Sequence, residues 1–137
     1  MQLFVYGTLL DQCVWQRIVG RPSPGRPAIL EGYQRRALIG AHFPGIVAVP
    51  GERVLGLCFS GLNPDDLHRL DHYEGGWYRR EEVCLMLPRG GEERAWTYIL
   101  QAAEQWRLDG DWSPSQPIGG VHFDGDCDRY ATTRRLS

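Results

Sequence analysis

The spacing of apolar and polar positions changes several times along the chain, and each change predicts a new element. Residues 2–6 are a run of β-favouring side chains and predict a first strand. Residues 11–20 place apolar side chains at helical spacing, with Asp11 as a possible N-cap and Gly20 as a possible stop. The prolines and the glycine of residues 21–27 predict a loop after this helix.

β-Favouring runs dominate the centre of the chain. Three of them, at residues 28–39, 45–50 and 53–62, predict strands, and the Pro-Gly-Glu-Arg stretch that joins the last two predicts a turn. Two further runs, 77–88 and 94–100, are separated by Arg-Gly-Gly-Glu-Glu. This arrangement predicts a hairpin.

The clearest helix is predicted over residues 63–76. Asn63 can cap it, and Pro64 suits the first helical position. Asp65 and Asp66 favour the positive end of the helix dipole, and the closing Gly-Gly pair predicts the helix end. Both ends of this helix are therefore marked by residues with a physical reason to be there.

The last third of the chain has weaker signals. Residues 102–108 predict a short helix, whereas the chain from residue 109 onward is rich in Gly, Pro and Asp and predicts loop with a short terminal helix or a loose tail. No repeat and no interdomain linker interrupts the sequence, which predicts one domain spanning residues 1–137. Strands clustered between isolated helices predict an α+β fold with a curved antiparallel or mixed sheet.

Composition narrows the class of protein. The chain has 42% hydrophobic and 23% charged residues, as soluble globular proteins do. A net charge of −2 gives no field that attracts nucleic acid or an anionic membrane, and no apolar run reaches the roughly 18 residues of a membrane span. No basic segment precedes a long apolar stretch at the N-terminus, so we expect a cytoplasmic protein without a secretory signal. A monomer is the default expectation.

Four cysteines, Cys13, Cys58, Cys84 and Cys127, are widely spaced and form no C-x-x-C pair. Cys58 and Cys84 lie within strand-like apolar runs, where a free cysteine acts as a small hydrophobic side chain. We therefore expect reduced thiols, with these two buried, rather than disulfides or a cysteine nucleophile.

The first strand stops on Gly-Thr immediately before a helix, and this turn is the first candidate site. Backbone N–H groups at a helix start lack partners and lie at its positive end, which suits a carboxylate or a phosphate. Gly7 would let a ligand approach the backbone, and the Thr8 hydroxyl would add a donor. The turn lacks the G-x-x-x-x-G-K-[ST] pattern of a phosphate-binding P-loop. On this stretch alone, a tight connection with Thr8 as a local cap stays an open alternative.

Glu74, at the C-terminal end of the predicted helix, is the second candidate. The helix dipole disfavours a carboxylate there, and Tyr73, Trp77 and Tyr78 flank it with aromatic rings. Both effects favour the neutral carboxyl, so we expect a pKa above the ordinary value, which suits a general acid/base near neutral pH. Two alternatives stay open: an exposed glutamate at a helix end, and Asp71, one turn earlier, as the working carboxylate.

Metal sites are weakly indicated. His68 and His72 have the i, i+4 spacing of zinc ligands, but neither an H-E-x-x-H motif nor a third ligand at a recognisable spacing accompanies them. Residues 124–128, Asp-Gly-Asp-Cys-Asp, resemble the start of a calcium loop, but Arg129 replaces the glycine that such a loop needs. No metal is therefore expected at either place.

Three segments occur together in an order that resembles a known family. They are "FVYGTLL" at residues 4–10, "FPGIVAVPGERVLGLCF" at residues 43–59 and "LDHYEGGWYRREEV" at residues 70–83. With these motifs the chain resembles the γ-glutamylcyclotransferase-like family, also called AIG2-like. The resemblance covers roughly residues 2–100, and the C-terminal 35 residues match poorly.

The resemblance implies a small mixed β-barrel with a few helices packed outside, which agrees with the α+β prediction. It also implies a reaction, in which the α-amine of a γ-glutamyl group attacks its own γ-carbonyl, forms 5-oxoproline and releases an amine or amino acid. Neither a metal nor an organic cofactor takes part. The expected partner is a small molecule with a γ-glutamyl-like group.

Carried onto this sequence, the resemblance implies that Glu74 is the catalytic acid/base. It also implies a loop whose N–H groups bind the α-carboxylate, formed by Tyr6, Gly7, Thr8, Leu9, Leu10 and Asp11. Tyr78 and Arg80 match a Y-x-R element, share one face of a strand and are expected to support the pocket wall. Many relatives carry a basic or polar pair where this chain has Leu10-Asp11, so a different pocket rim is expected. Two other functions stay open: non-catalytic binding of a small molecule, and acyl-shift or amide-cleaving chemistry on another acyl group.

Overall fold

The computed structural model describes residues 1–112 of the 137-residue chain. Within these residues, six strands, two α-helices and two 3-10 helices follow one another. The strands are β1 (Leu3–Val5), β2 (Arg26–Leu38), β3 (Pro44–Phe59), β4 (Tyr78–Met86), β5 (Glu92–Leu100) and β6 (Leu108–Asp111). The α-helices are α1 (Gln12–Val19) and α2 (Pro64–Glu74), and the 3-10 helices are Thr8–Leu10 and Ala102–Arg107.

Five of the strands close into a barrel. They pair in the order β3-β1-β5-β4-β2, and a further pairing of β2 with β3 completes the ring. The β1–β5 pair is parallel and the other pairs in the ring are antiparallel, so the barrel is mixed. β6 extends the sheet outside the ring by pairing with β2. The α+β prediction and the barrel that the resemblance implied are both confirmed.

Alternation along the strands divides the core into two clusters. In β1, Phe4 packs in a cluster built only from the barrel strands and their ends, whereas Leu3 and Val5 pack in a cluster that also contains helix residues. The second cluster includes Trp15 of α1 and Leu70 of α2, both fully buried. Successive side chains of a strand point to opposite faces, so one face of β1 fills the barrel and the other holds the helices against it.

The start of α2 is held by a buried carboxylate. Asn63 and Asp66 form a capping box, in which each side chain accepts from the other's backbone N–H. The Asp66 carboxylate also accepts two bonds from Arg21, at 3.0 and 2.6 Å, and one from Arg69 at 2.6 Å. These bonds, those from Arg21 first, lower the pKa of Asp66 to about 2.

The turn predicted within residues 50–53 is wrong, because β3 runs through this stretch as one 16-residue strand. Pairing with β2 shifts between Glu31↔Arg53 and Tyr33↔Ala48, so four residues of β3 stand opposite Gly32 alone. Proline and glycine here form a bulge rather than a chain reversal, since antiparallel pairing resumes in the same strand on the far side.

The end of the described chain also differs from the prediction. Residues 102–107 form a 3-10 helix, close to the helix predicted over residues 102–108. Leu108–Asp111 is a strand, although the sequence predicted the end of that helix at residue 108 and loop from residue 109. This strand has no run of β-favouring residues. It forms because β2 offers it an edge, with Leu38↔Leu108 and Arg36↔Asp111 as partners. The Asp-Gly-Asp-Cys-Asp segment and the predicted terminal helix lie outside the described residues.

The described cysteines are Cys13, Cys58 and Cys84, and all three are free. Cys58 is buried, as predicted, but Cys84 is exposed. The expectation for Cys84 is wrong because β4 alternates: Leu85 points into the barrel and is fully buried, which turns Cys84 outward. Cys127 lies outside the described residues.

Candidate functional site

The loop after β1 is packed closely against the start of β3. Tyr6 and Gly7 leave the strand, and the Thr8–Leu10 turn then leads into α1. A Cβ atom added at Gly7 would lie 2.9 Å from Cδ of Pro44, closer than ordinary contact allows. Glycine at position 7 therefore lets the loop sit against Pro44, so its first role is steric.

The same loop presents backbone donors and is tied to α2. Leu10 N–H donates to Gly7 O at 2.9 Å and Asp11 N–H donates to Thr8 O at 3.1 Å, which closes the 3-10 turn. The N–H groups at Thr8 and Leu9 begin this turn and have no acceptor inside it. The Thr8 hydroxyl shares a 2.9 Å hydrogen bond with the hydroxyl of Tyr73 on α2. This bond fixes the loop relative to the helix that ends at Glu74.

One narrow pocket brings together the two predicted sites, the loop and Glu74. It holds about 300 Å³ of empty space, including the part open to solvent, and the centre of a water molecule can occupy about 20 Å³ of it. Its walls are Phe4, Val5, Tyr6, Gly7, Thr8, Leu9, Phe43, Pro44, Glu74, Tyr78 and Tyr98.

Not every residue assigned to the site lines the pocket. Leu10 is 1% exposed and packs in the core cluster that includes the helices. Asp11 is buried and caps α1, where its Oδ1 accepts from the Cys13 N–H at 2.9 Å. These two positions therefore support the loop from behind, because the chain has already turned away from the pocket to enter α1. Neither residue is among those that line this pocket, and the effect of Leu10-Asp11 on its rim stays a prediction.

Glu74 is the last residue of α2 and is half-buried at the pocket wall. The negative end of the helix dipole lies at this position. Tyr78 and Tyr98 line the same pocket, and the Tyr78 hydroxyl donates to Pro44 O at 2.6 Å. Glu74 is thus a carboxyl group with aromatic neighbours, placed where a bound molecule can reach it.

Asp71, the competing carboxylate, lies beside the pocket and its oxygens are engaged. Arg80 donates to Asp71 from Nε at 2.8 Å and from Nη2 at 3.2 Å. The Tyr98 hydroxyl donates to Asp71 Oδ1 at 2.7 Å. Arg80 itself is stacked 4.6 Å from the ring centroid of Trp96 and does not line the pocket. Arg80 therefore supports the pocket wall indirectly, because it holds Asp71, which accepts a hydrogen bond from the wall residue Tyr98.

Tyr98 is the main site residue that sequence reasoning missed. It is 4% exposed and lines the pocket together with the loop. Burial, the hydrogen bond to Asp71 and the charge of Glu74 all raise the pKa of Tyr98. In the observed hairpin Tyr98 pairs with Arg80, a register that the sequence prediction did not specify. Phe43 and Pro44 were also missed, since they follow no motif of polar residues.

Within the described residues, the zinc site considered at His68 and His72 is not assembled. His68 and His72 are exposed on α2, and no group of three His, Cys, Asp or Glu side chains within residues 1–112 could hold a metal ion. None of the helices in this part of the chain is long and apolar enough to cross a membrane.

Residues 3–114 match the sequence profile of a family described as gamma-glutamyl cyclotransferase, AIG2-like. Among curated proteins, Protein AIG2 C of Arabidopsis thaliana is 32% identical over 111 residues, which cover 80% of this chain and 67% of that protein. AIG2-like protein D of the same plant is 29% identical over 112 residues, covering 80% of this chain and 74% of that protein.

Solved structures show the same likeness. A solution structure of an Arabidopsis thaliana protein matches with a TM-score of 0.71 and 30% identity, over 82% of this chain and 68% of that one. A structure described as gamma-glutamyl cyclotransferase matches with a TM-score of 0.64 and 21% identity, over 73% and 66% of the two chains. At that lower identity the likeness concerns the fold alone.

Proposed function

This chain belongs to the gamma-glutamyl cyclotransferase, AIG2-like family, and we propose that it cyclises a γ-glutamyl amide to 5-oxoproline and releases the amine. The observation that carries the proposal is the shared pocket: the loop of Tyr6, Gly7, Thr8 and Leu9 and the carboxyl of Glu74 line one narrow space. The loop offers donors for an anion and Glu74 offers a group that exchanges protons. A γ-glutamyl substrate needs both.

The loop binds the α-carboxylate of the substrate. Thr8 and Leu9 present N–H groups at the start of a short helical turn, and such groups favour a negative charge. The Thr8 hydroxyl is held by Tyr73 at 2.9 Å, so the loop keeps its shape while a ligand binds. The slim pocket then directs the γ-carbonyl of an extended glutamyl chain toward Glu74.

Glu74 moves the protons that the reaction must transfer. The α-ammonium gives one proton to Glu74, and the freed nitrogen attacks the γ-carbonyl carbon to form the new carbon–nitrogen bond. Glu74 returns that proton to the leaving nitrogen as its bond to the carbon breaks, and then passes the second proton of the new ring nitrogen to the released amine, which leaves as an ammonium ion. One bond forms and one breaks, no water is consumed, and Glu74 ends in its starting state. Because nucleophile and carbonyl belong to one molecule, orientation in the pocket supplies much of the acceleration.

A panel of γ-glutamyl compounds tests the proposal. The purified chain is incubated with γ-glutamyl amino acids, γ-glutamyl alkylamides and γ-glutamyl-ε-lysine, and 5-oxoproline is quantified. We expect release with at least one compound class and a loss of about 10²- to 10⁴-fold in kcat for Glu74→Gln, because the amide cannot exchange the proton. Glu52→Gln is the matched control, since Glu52 is exposed in the bulge of β3 and does not line the pocket.

Two results would contradict the proposal. Full turnover by Glu74→Gln would remove the assigned acid/base. Release of no 5-oxoproline from any compound, with ligand-induced thermal stabilisation kept by Glu74→Gln, would instead indicate a small-molecule-binding protein without this activity.

A further inference from the structure

Tyr98, on β5, lines the pocket, and its hydroxyl hydrogen is already donated to another side chain. The hydroxyl donates to Asp71 Oδ1 at 2.7 Å, and Asp71 is held in turn by two bonds from Arg80. A carboxylate paired with a guanidinium only accepts hydrogen bonds. The hydrogen of Tyr98 therefore points away from the pocket, toward Asp71.

A phenol has one hydrogen and two acceptor lone pairs. Because the hydrogen of Tyr98 is used, its oxygen can only accept from a molecule in the pocket. Burial, Asp71 and Glu74 hold the pKa of Tyr98 well above that of an ordinary tyrosine, so the hydroxyl keeps its hydrogen near neutral pH. Arg80, which holds Asp71, is itself restrained because its guanidinium is stacked 4.6 Å from the ring centroid of Trp96.

We propose that Tyr98 accepts a hydrogen bond from the α-ammonium of the substrate, and that Asp71 and Arg80 are positioning residues that keep its oxygen free to accept. This inference rests on the proposed function and deepens it by naming what the site selects: a ligand with a free, unacylated α-amino group. The ammonium then lies between two acceptors of the pocket wall, Tyr98 and Glu74.

The arrangement also orients the nucleophile. When Glu74 removes one proton, a second N–H still bonds to Tyr98, so the nitrogen cannot rotate freely. Its new lone pair is thereby held toward the γ-carbonyl. Tyr98 neither gains nor loses a proton in this step.

Tyr78 is the competing acceptor, because its hydroxyl hydrogen is also committed, to Pro44 O at 2.6 Å. One difference favours Tyr98. Its hydrogen goes to a carboxylate rather than to a neutral carbonyl, which leaves more negative charge on its oxygen.

A pair of unreactive ligands that differ only in the ammonium group tests the inference. L-Methionine sulfone carries an α-ammonium and a sulfonyl group in place of the γ-carbonyl, and 4-(methylsulfonyl)butanoate lacks the ammonium. We expect the wild type to bind the first about 100-fold more tightly. Tyr98→Phe should lower that ratio about 10-fold, with unchanged affinity for the second ligand, because only the bond to the ammonium is lost.

Further variants keep the test decisive. Asp71→Leu should also lower the ratio, because the Tyr98 hydrogen is then free to turn into the pocket. Tyr78→Phe, the pocket tyrosine not assigned to the ammonium, should keep the wild-type ratio. Tyr33→Phe, a tyrosine that does not line the pocket, should also keep it.

Several results would overturn the inference: a wild type without preference, an unchanged ratio in Tyr98→Phe, equal weakening of both ligands, or loss of the ratio in Tyr78→Phe instead. Binding needs no turnover, so the two proposals fail separately. A wild type that releases no 5-oxoproline but shows the expected ratios would contradict the proposed function alone.

Discussion

Helix α2 carries a carboxylate near each end, and the surroundings of the two side chains differ. Asp66, in the first turn, has a fully buried side chain that accepts bonds from Arg21, Arg69 and the Asn63 N–H. Glu74, the last residue, is half-buried at a pocket wall beside Tyr98. The dipole of the helix favours a negative charge at the first position and disfavours it at the second.

The difference shows why burial alone does not mark a functional carboxylate. Asp66 is the more buried of the two, but every partner it has favours its charged form, and its pKa is about 2. A carboxyl group with such a pKa stays ionised near neutral pH and cannot act as an acid/base there. Asp66 instead stabilises the fold by holding the start of α2. Glu74 has the weaker packing and the more useful position, because a ligand in the pocket can contact it.

The largest expected effect is that Glu74→Gln and Asp66→Asn, which each replace a carboxyl group by an amide, lose different properties. Glu74→Gln should lose about 10²- to 10⁴-fold in kcat for 5-oxoproline release while its unfolding midpoint stays near that of the wild type. Asp66→Asn should keep kcat in the protein that remains folded and should lose stability instead. Turnover and thermal unfolding measured on both variants check this pattern. Loss of both properties in both variants would contradict the separation of roles.

The size of the Asp66 effect follows from its pKa. The difference between 3.8 and about 2 corresponds to about 2 kcal/mol of unfolding free energy near neutral pH. The partners Arg21 and Arg69 have side chains 43% and 48% exposed, so water replaces part of what the amide removes. Chemical denaturation at pH 7 should therefore show a loss of at most about 2 kcal/mol in Asp66→Asn.

The same pKa fixes a pH dependence. The folded carboxyl of Asp66 stays charged to a lower pH than the unfolded one, so its contribution is fully present above about pH 5 and is lost as the pH falls toward 2. The wild type should thus lose about 2 kcal/mol more than Asp66→Asn between pH 6 and pH 2. Parallel curves of unfolding free energy against pH for the two proteins would show that the charged Asp66 side chain does not stabilise the fold.

A smaller effect is expected at the loop that faces Glu74. Gly7→Ala would place a Cβ 2.9 Å from Cδ and 3.0 Å from Cγ of Pro44, so the loop or the ring must shift. We expect a loss of about 1 kcal/mol in unfolding free energy and of about 10-fold in kcat/KM. Gly76→Ala is the matched control, because a Cβ there meets nothing within 4 Å. Equal effects of the two variants would argue against the packing role of Gly7.

The smallest expected effect distinguishes the contribution of the helix dipole from that of the buried hydrogen bonds of Asp66. Asp65, next to Asp66, is exposed in the first turn of α2. Asp65→Asn should cost only about 0.3 kcal/mol, and about 1 M salt should remove most of that cost. Denaturation of Asp65→Asn and Asp66→Asn at low and high salt measures the contrast. A loss as large as that of Asp66→Asn would mean that the dipole, not the buried bonds, stabilises this end.

Much of the fold could be predicted because its signals are local. The caps at Asp11 and Asn63, the hairpin of β4 and β5 and the end of α2 all follow from residues close in sequence. The bulge in β3, strand β6 and the outward turn of Cys84 could not be predicted in this way. Each depends on a partner strand or on which face of a strand meets the core, and those are tertiary facts.

The residues of the site and of α2 can be divided in the same way, into those with local sequence signals and those placed by tertiary contacts. A helix end and a strand-to-helix turn are visible in the sequence, so Glu74 and the loop from Tyr6 to Leu9 could be named as candidates, and the family resemblance supplied the roles proposed for them. Burial of Asp66 by Arg21 could not, since 45 residues separate the partners. Tyr98 lies in a strand with no motif of its own, and only the closed barrel brings it beside Asp71 and Glu74.

One carboxyl titration tests the contrast between the two ends of α2 most directly. Carbon-13 NMR of the side-chain carboxyls, assigned by Asp66→Asn and Glu74→Gln, follows both groups in the same sample. We expect Asp66 to titrate at about 2 and Glu74 to titrate above the ordinary glutamate value of about 4.3. A Glu74 that titrates at or below that ordinary value would contradict its assignment as the acid/base of the pocket.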